Sequence, residues 1–158
     1  MSQALQIAGA SLLALSALLA DCMHPRHDHD KAHAMALCNA GWNPQGSRVI
    51  RVGVDAAGAV QLFETHFYVY AGDKRPIFWE LCNAPGYAFD ARRGIEVKPG
   101  MGETDLGDCK PHGERAATVF GCKNAHRRSA SIAYAVRLRS TVVGRPDPAP
   151  LDPFIHNQ

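Results

Sequence analysis

Short segments with apolar side chains at every second position, separated by turns rich in Gly and Pro, dominate this chain after Cys38. Ser131–Arg139 shows the pattern best, because large apolar residues there alternate with small or charged ones. Such alternation is typical of strands with one buried face, and no segment after Met35 has the period of an amphipathic helix. About seven or eight segments of this kind predict an all-β fold, an antiparallel β-sandwich.

Eight strands are predicted, and for one of them the sequence leaves open which sides are buried. They are Arg48–Val54, Ala59–Phe63, His66–Tyr70, Ile77–Cys82, Tyr87–Phe89, Ile95–Val97, Ala117–Gly121 and Ser131–Arg139. His66–Tyr70 has aromatic residues at odd and even positions, so it is either buried on both sides or exposes Tyr68 and Tyr70 to a partner. Pro99–Glu114 is polar and rich in Gly, and it predicts one long loop, either functional or tethered by Cys109.

The N-terminal residues predict export. Ala4–Ala20 is an uncharged run of 17 residues, short for a membrane-spanning helix, and residues 1–21 are interpreted as a signal peptide or hydrophobic anchor. Leu19–Cys22 resembles a bacterial lipobox with Asp21 in place of the small residue, so lipidation of Cys22 is an alternative. We expect a periplasmic or envelope-associated protein, attached to the membrane if this segment is retained. A start at Met23 or Met35 would instead make it cytoplasmic.

The cysteines agree with that compartment. Apart from Cys22, the chain contains four: Cys38, Cys82, Cys109 and Cys122. An even number in a small exported domain predicts two disulfides with three alternative connectivities, because oxidising compartments preserve such bonds. None of the spacings matches the Cys-x-x-Cys pattern of redox or zinc sites.

Charge and composition limit the partners and divide the chain. The formal net charge is +2, without a long block of one sign, so nucleic-acid binding is not expected and the partner is an unknown protein or small ligand. After the linker at 22–37, residues 38–145 form the predicted domain. Residues 146–158 form a Pro-rich tail, in which Phe154 and Ile155 either clip onto the domain or stay free.

The linker at 22–37 contains the best metal-ligand candidates. Its histidines are His24, His27, His29 and His33, interleaved with acidic residues. Imidazole and carboxylate are good ligands for Cu²⁺, Zn²⁺ or Ni²⁺, and such a tract can collect metal without a preformed cage. The alternative is a solvated linker without function. His112 is a further candidate ligand.

The middle of the chain resembles the cupredoxin-like sandwiches. The likeness covers Phe67 to about Leu138 and depends on Tyr68–Asp73, Phe78–Leu81 and Ala133–Val136. The chain also resembles small uncharacterised exported proteins of proteobacteria that end in an Asp-Pro-x-Ile-like tail, here Asp152–Ile155.

The copper site of that family does not transfer. Blue-copper sites need two His, one Cys and a weak axial ligand, often Met. Cys109-Lys110-Pro111-His112 has a Cys-x-Pro-His form without a following Met, and Cys122 with His126 also lacks one. The resemblance therefore implies the fold without the electron-transfer site.

These observations predict a non-catalytic exported binding or interaction module, without a resident cofactor. The alternative is a periplasmic metal-binding protein that uses the His-rich segment. An enzyme would need Cys109 and His112 as a nucleophile and base, or a carboxylate pair between Glu80 and either Glu96 or Asp90. Nothing in their spacing brings these groups together.

Overall fold

The computed structural model describes residues 47–64, 66–100 and 102–158, and these residues form an all-β fold. The strands are β1 (Arg48–Val54), β2 (Val60–Leu62), β3 (Phe67–Val69), β4 (Ile77–Leu81), β5 (Tyr87–Phe89), β6 (Ile95–Val97), β7 (Leu106–Pro111), β8 (Val119–Asn124), β9 (Ala130–Val136), β10 (Leu138–Ser140) and β11 (Phe154–Asn157). A single 3-10 turn, Gly113–Arg115, is the helical element within the described ranges. In those same ranges, no helix is long and apolar enough to cross a membrane.

Five strands make the larger sheet, in the order β2-β1-β4-β8-β7. β1 and β2 form the predicted hairpin, whereas β1 and β4 are parallel, with Ile50 opposite Trp79. The chain leaves this sheet after β2, forms β3 in another sheet and returns as β4, which explains how β4 can run in the same direction as β1. The expectation of a purely antiparallel sandwich is therefore wrong, and the sheets are mixed.

The second sheet has the order β3-β11-β9-β6, and β5 with β10 forms a separate antiparallel pair. β11 lies between β3, to which it is parallel, and β9, to which it is antiparallel. Ile155 is fully buried there. The segment expected to be a tail thus supplies an inner strand, in keeping with the alternative that Phe154 and Ile155 join the domain.

The hydrophobic core is one cluster of buried residues to which both larger sheets contribute. Trp79 of β4 and Tyr134 of β9 are both fully buried and meet edge to face, with ring centroids 5.3 Å apart. The inward pattern predicted for Ser131–Arg139 is confirmed, because Ile132, Tyr134, Val136 and Leu138 are all buried. An aromatic pair of this geometry adds about 0.5–1.5 kcal/mol beyond its buried area.

The prediction of one long loop over Pro99–Glu114 is wrong. β7 occupies Leu106–Pro111 within it and pairs with β8, with an irregularity between Gly107 and Lys110 where Asp108 has a φ of +50°. A disulfide joins Cys109 of β7 to Cys122 of β8. The alternation that reveals other strands is missing here because β7 is an edge strand that exposes Gly, Asp and Lys.

β4 is buried on both faces, unlike a strand that faces solvent on one side. On its outer side, Phe78 packs so closely over Gly121 of β8 that a Cβ there would come within 2.6 Å of the ring. Glu80, 1% exposed, is paired with Arg115 at 2.7 Å. The 3-10 turn that holds Arg115 therefore helps to cover the outer face of the larger sheet.

Candidate binding surface

Five ring-bearing side chains lie on or directly beside the adjacent strands β3 and β11 of the second sheet, and together they are here called the aromatic face: His66, Tyr68, Tyr70, Phe154 and His156. The register places His156 opposite Tyr68 on one side and opposite Ser131 on the other. Because side chains alternate along a strand, one set of residues on β3 and β11 must point inward and the other outward.

Burial shows which set points outward. Val69 and Ile155 are fully buried, whereas Tyr68 is 43% exposed, Tyr70 is 61% exposed and Phe154 is 49% exposed. Of the two interpretations of His66–Tyr70, the strand buried on both sides is therefore wrong. The two tyrosines lie on an open face.

Three rings of this face, those of His66, Tyr68 and His156, are in mutual contact. The His156 ring centroid lies 5.1 Å from that of Tyr68 and 5.8 Å from that of His66, and His66 lies 6.2 Å from Tyr68. His156 Nδ1 also lies 2.9 Å from the hydroxyl oxygen of Ser131. Stacking on one side and a hydrogen bond on the other restrict the rotamer of His156, so the centre of the face is ordered before any ligand arrives.

An ion pair lies at the border of the aromatic face. Lys98 Nζ lies 2.7 Å from a carboxylate oxygen of Asp152, two residues before Phe154. The pairing leaves no net charge there. Recognition through this face would therefore depend on rings and imidazoles rather than on a field of one sign.

Several predicted site residues lie outside the described ranges. These are Cys22, His24, His27, His29, His33 and Cys38. Within the ranges that the structure describes, no group of three or more His, Cys, Asp or Glu side chains is arranged to hold a metal ion.

The other predicted site residues have structural partners. Cys109 is joined to Cys122, and Cys82 is also disulfide-bonded. Cys109 is therefore not a free thiol. His112 packs against the edge of Phe78, with ring centroids 4.8 Å apart, on the larger sheet and away from the aromatic face.

Each of the three carboxylates considered for acid–base chemistry has hydrogen-bond partners of its own. Glu80 pairs with Arg115, and Glu96 accepts a 2.7 Å hydrogen bond from Arg137 Nε. Asp90 accepts hydrogen bonds from the backbone N–H groups of Arg92 and Arg93, and these bonds hold its pKa below the usual range. Each carboxylate is thus engaged in a separate structural contact.

Two concave regions lined by described residues lie away from the aromatic face. One, of about 640 Å³, is lined by Lys74, Pro76, Thr104, Asp105, Gly107, Asp108, Lys123, Asn124, Ala125 and Arg127. Asp105 is 1% exposed, and neither of its carboxylate oxygens has a hydrogen-bond partner among the described residues. These oxygens are inaccessible from the cavity, so a ligand could not reach them without rearrangement. The second region, of about 770 Å³, lies beside Tyr87, whose ring is covered by Arg145 at 5.3 Å.

Sequence reasoning missed the contribution of His66 and of the chain's end to the aromatic face. His66 was named only as the first residue of a predicted strand, and Phe154 and His156 were placed in the tail. No alternation marks this strand in the sequence, because Phe154 and Ile155 are both apolar whereas His156 and Asn157 are both polar. Only the pairing of β11 with β3 and β9 brings these residues beside Tyr68.

Compared with known proteins, the chain matches no protein-family model and no curated protein.

Proposed function

We propose that the protein is a non-catalytic, exported β-sandwich module that binds a protein partner through the aromatic face. The observation that carries the proposal is that Tyr68 is exposed and in contact with His156, with the exposed rings of Phe154 and Tyr70 towards opposite ends of the same pair of strands. Tyr is enriched among the side chains that dominate binding energy at interfaces, and neighbouring exposed rings mark interaction sites more often than single ones do.

A protein partner suits this face better than a small ligand does. Small-molecule sites are concave and bury most of the ligand surface. The two cavities described above are lined by other residues, whereas the aromatic face lies on the outer side of a sheet. A broad partner surface could cover several of these rings at once.

Export and the sandwich class are parts of the same proposal. The Cys109–Cys122 disulfide supports export, because such bonds persist mainly in oxidising compartments. The contact between Trp79 and Tyr134 across the two larger sheets supports a sandwich of cupredoxin-like or Ig-like type. The separate engagement of Glu80, Glu96 and Cys109 supports a role without catalysis.

Photocrosslinking in the producing cell tests the proposal. Tyr70 is replaced by p-benzoylphenylalanine, and Val143, which is fully exposed on the 140s loop, receives the same substitution in a matched control. We expect a crosslinked protein adduct from position 70 and none from position 143. Adding Phe154→Ser to the position-70 variant should strongly reduce the yield of that adduct. Equal adducts at both positions, or none at position 70, would contradict the proposal.

A further inference from the structure

Two imidazoles meet near the centre of the aromatic face, and the proposed partner does not account for them. We propose that His66 and His156 together bind one divalent transition-metal ion, and that Cu²⁺ binds most tightly. This inference goes beyond the proposed function and does not depend on it, because the site is formed within a single chain. It is also separate from the His-rich segment at 22–37.

The spacing of the rings fits a shared ion. The ring centroids of His66 and His156 are 5.8 Å apart, and the ring planes are inclined by 32°. With metal–nitrogen bonds of about 2.0–2.1 Å, two imidazoles on one ion have centroids roughly 4.5 Å apart at adjacent tetragonal positions and roughly 6.4 Å apart at opposite ones. The observed separation lies between these two values, so rotation of the side chains, without movement of the backbone, can bring one nitrogen of each ring to the same ion.

Ser131 orients one of the two ligands. His156 Nδ1 lies 2.9 Å from Ser131 Oγ, so the opposite ring nitrogen, Nε2, is the one left for a metal. Metal binding at Nε2 requires the tautomer in which Nδ1–H donates to the Ser131 oxygen. A metal-binding His commonly uses its second nitrogen in this way, and loss of the supporting group typically weakens binding 10–100-fold.

The ligand count favours Cu²⁺. Two imidazoles do not complete the closed tetrahedral cage of a structural zinc site, which agrees with the lack of any larger ligand group in the described ranges. Two nitrogen ligands, with water in the remaining positions, suit the tetragonal geometry of Cu²⁺. Among divalent metals of the first transition row, Cu²⁺ also binds most strongly to a given nitrogen site. With both cysteines of the β7–β8 pair in a disulfide, no thiolate from them takes part.

Copper titration of the purified full chain tests the site. The parent variant carries Ala at positions 24, 27, 29 and 33 and Ser at position 22, so that the N-terminal segment and its thiol do not contribute. Calorimetry with Cu²⁺ against a glycine competitor measures stoichiometry and affinity, and electron paramagnetic resonance reports the number of bound nitrogens. His66→Ala, His156→Ala and Ser131→Ala are compared with His112→Ala, which changes a histidine on the other sheet.

We expect one Cu²⁺ per parent chain with two coordinated nitrogens. His66→Ala and His156→Ala should each weaken binding by at least about tenfold, Ser131→Ala by about tenfold, and His112→Ala should have no effect. If a histidine variant unfolds, the nitrogen count in the folded parent still decides. The proposal would be overturned if the parent bound no Cu²⁺ or if its bound Cu²⁺ had no coordinated nitrogen. It would also be overturned if His66→Ala or His156→Ala left the Cu²⁺ affinity unchanged. Because no partner is present, such a failure is independent of the crosslinking result.

Discussion

Replacing Arg115 with Met tests how the buried carboxylate of Glu80 is stabilised. Glu80 lies on the central strand β4 with its side chain 2% exposed, and its ion pair with Arg115 spans 2.7 Å. Removing one partner of a fully buried ion pair costs about 3–5 kcal/mol, because the remaining charge is left in a medium that solvates it poorly. The Arg115 side chain is 35% exposed, so water can partly replace it. We therefore expect a loss of about 2–3 kcal/mol for Arg115→Met.

The two partners should not be equivalent. Glu80→Leu leaves the charge on Arg115, which reaches solvent, and should cost about 1 kcal/mol. The double variant Glu80→Leu/Arg115→Met removes both charges and should fall within about 1 kcal/mol of the wild type. Since domains are typically stable by only about 5–15 kcal/mol, the difference between Arg115→Met and the double variant is easily measured.

Denaturant unfolding at pH 7, with the disulfides intact, gives the free energies for this double-mutant cycle. The cycle isolates the interaction between the two side chains from anything else that either one contacts. The reasoning would be refuted if Glu80→Leu destabilised the protein more than Arg115→Met. A double variant as unstable as Arg115→Met would refute it equally.

Three further predictions concern the core, the disulfide and the acid limit of stability. Tyr134→Phe should change the free energy of unfolding by less than about 1 kcal/mol, because the hydroxyl makes no hydrogen bond of good geometry among the described residues and only approaches the Trp79 indole N–H. Tyr134→Ala should instead cost about 3–5 kcal/mol, and equal losses by denaturant unfolding would contradict this. Cys109→Ser/Cys122→Ser should cost about 3 kcal/mol, since the bond closes a loop with a sequence separation of 13; an unchanged unfolding midpoint would argue against it. Hydrogen bonds from Arg75 and Arg48 hold the pKa of Asp73 well below its ordinary value of 3.8, so its stabilisation is complete above that pH and is lost as the pH falls. Unfolding free energies between pH 5 and pH 2 should therefore fall less steeply in Asp73→Asn than in the wild type, and parallel curves would show that the contacts contribute nothing.

Local alternation was sufficient to predict most strands and their buried faces. Ile132, Tyr134 and Val136 are all fully buried, as their spacing indicates. The pattern failed at β7, where an edge strand carries polar residues and is held by pairing with β8 and by the disulfide. When two strands that pair are distant in sequence, their pairing does not change the alternation of apolar and polar residues in either one.

The sequence identified only some of the residues of the candidate surface. Tyr68 and Tyr70 were recognised as residues that a partner could contact, but the sequence left open whether they were exposed. His156 and Phe154 were assigned to a tail, because several Pro residues precede them and no local signal specifies that β11 inserts between β3 and β9. The two sides of the surface lie more than 80 residues apart, and only their parallel pairing joins them.

The sequence alone determined that the described chain is all-β and which side chains of its clearest strands face the core, because the burial of alternate residues is a local property of an extended backbone. Only the tertiary structure decided that β1 and β4, and β3 and β11, run parallel, that Glu80 is buried beside Arg115, and that His66 meets His156. Each of these contacts joins segments distant in sequence. Their geometry follows from how the sheets assemble, and the spacing of residues along the chain does not encode it.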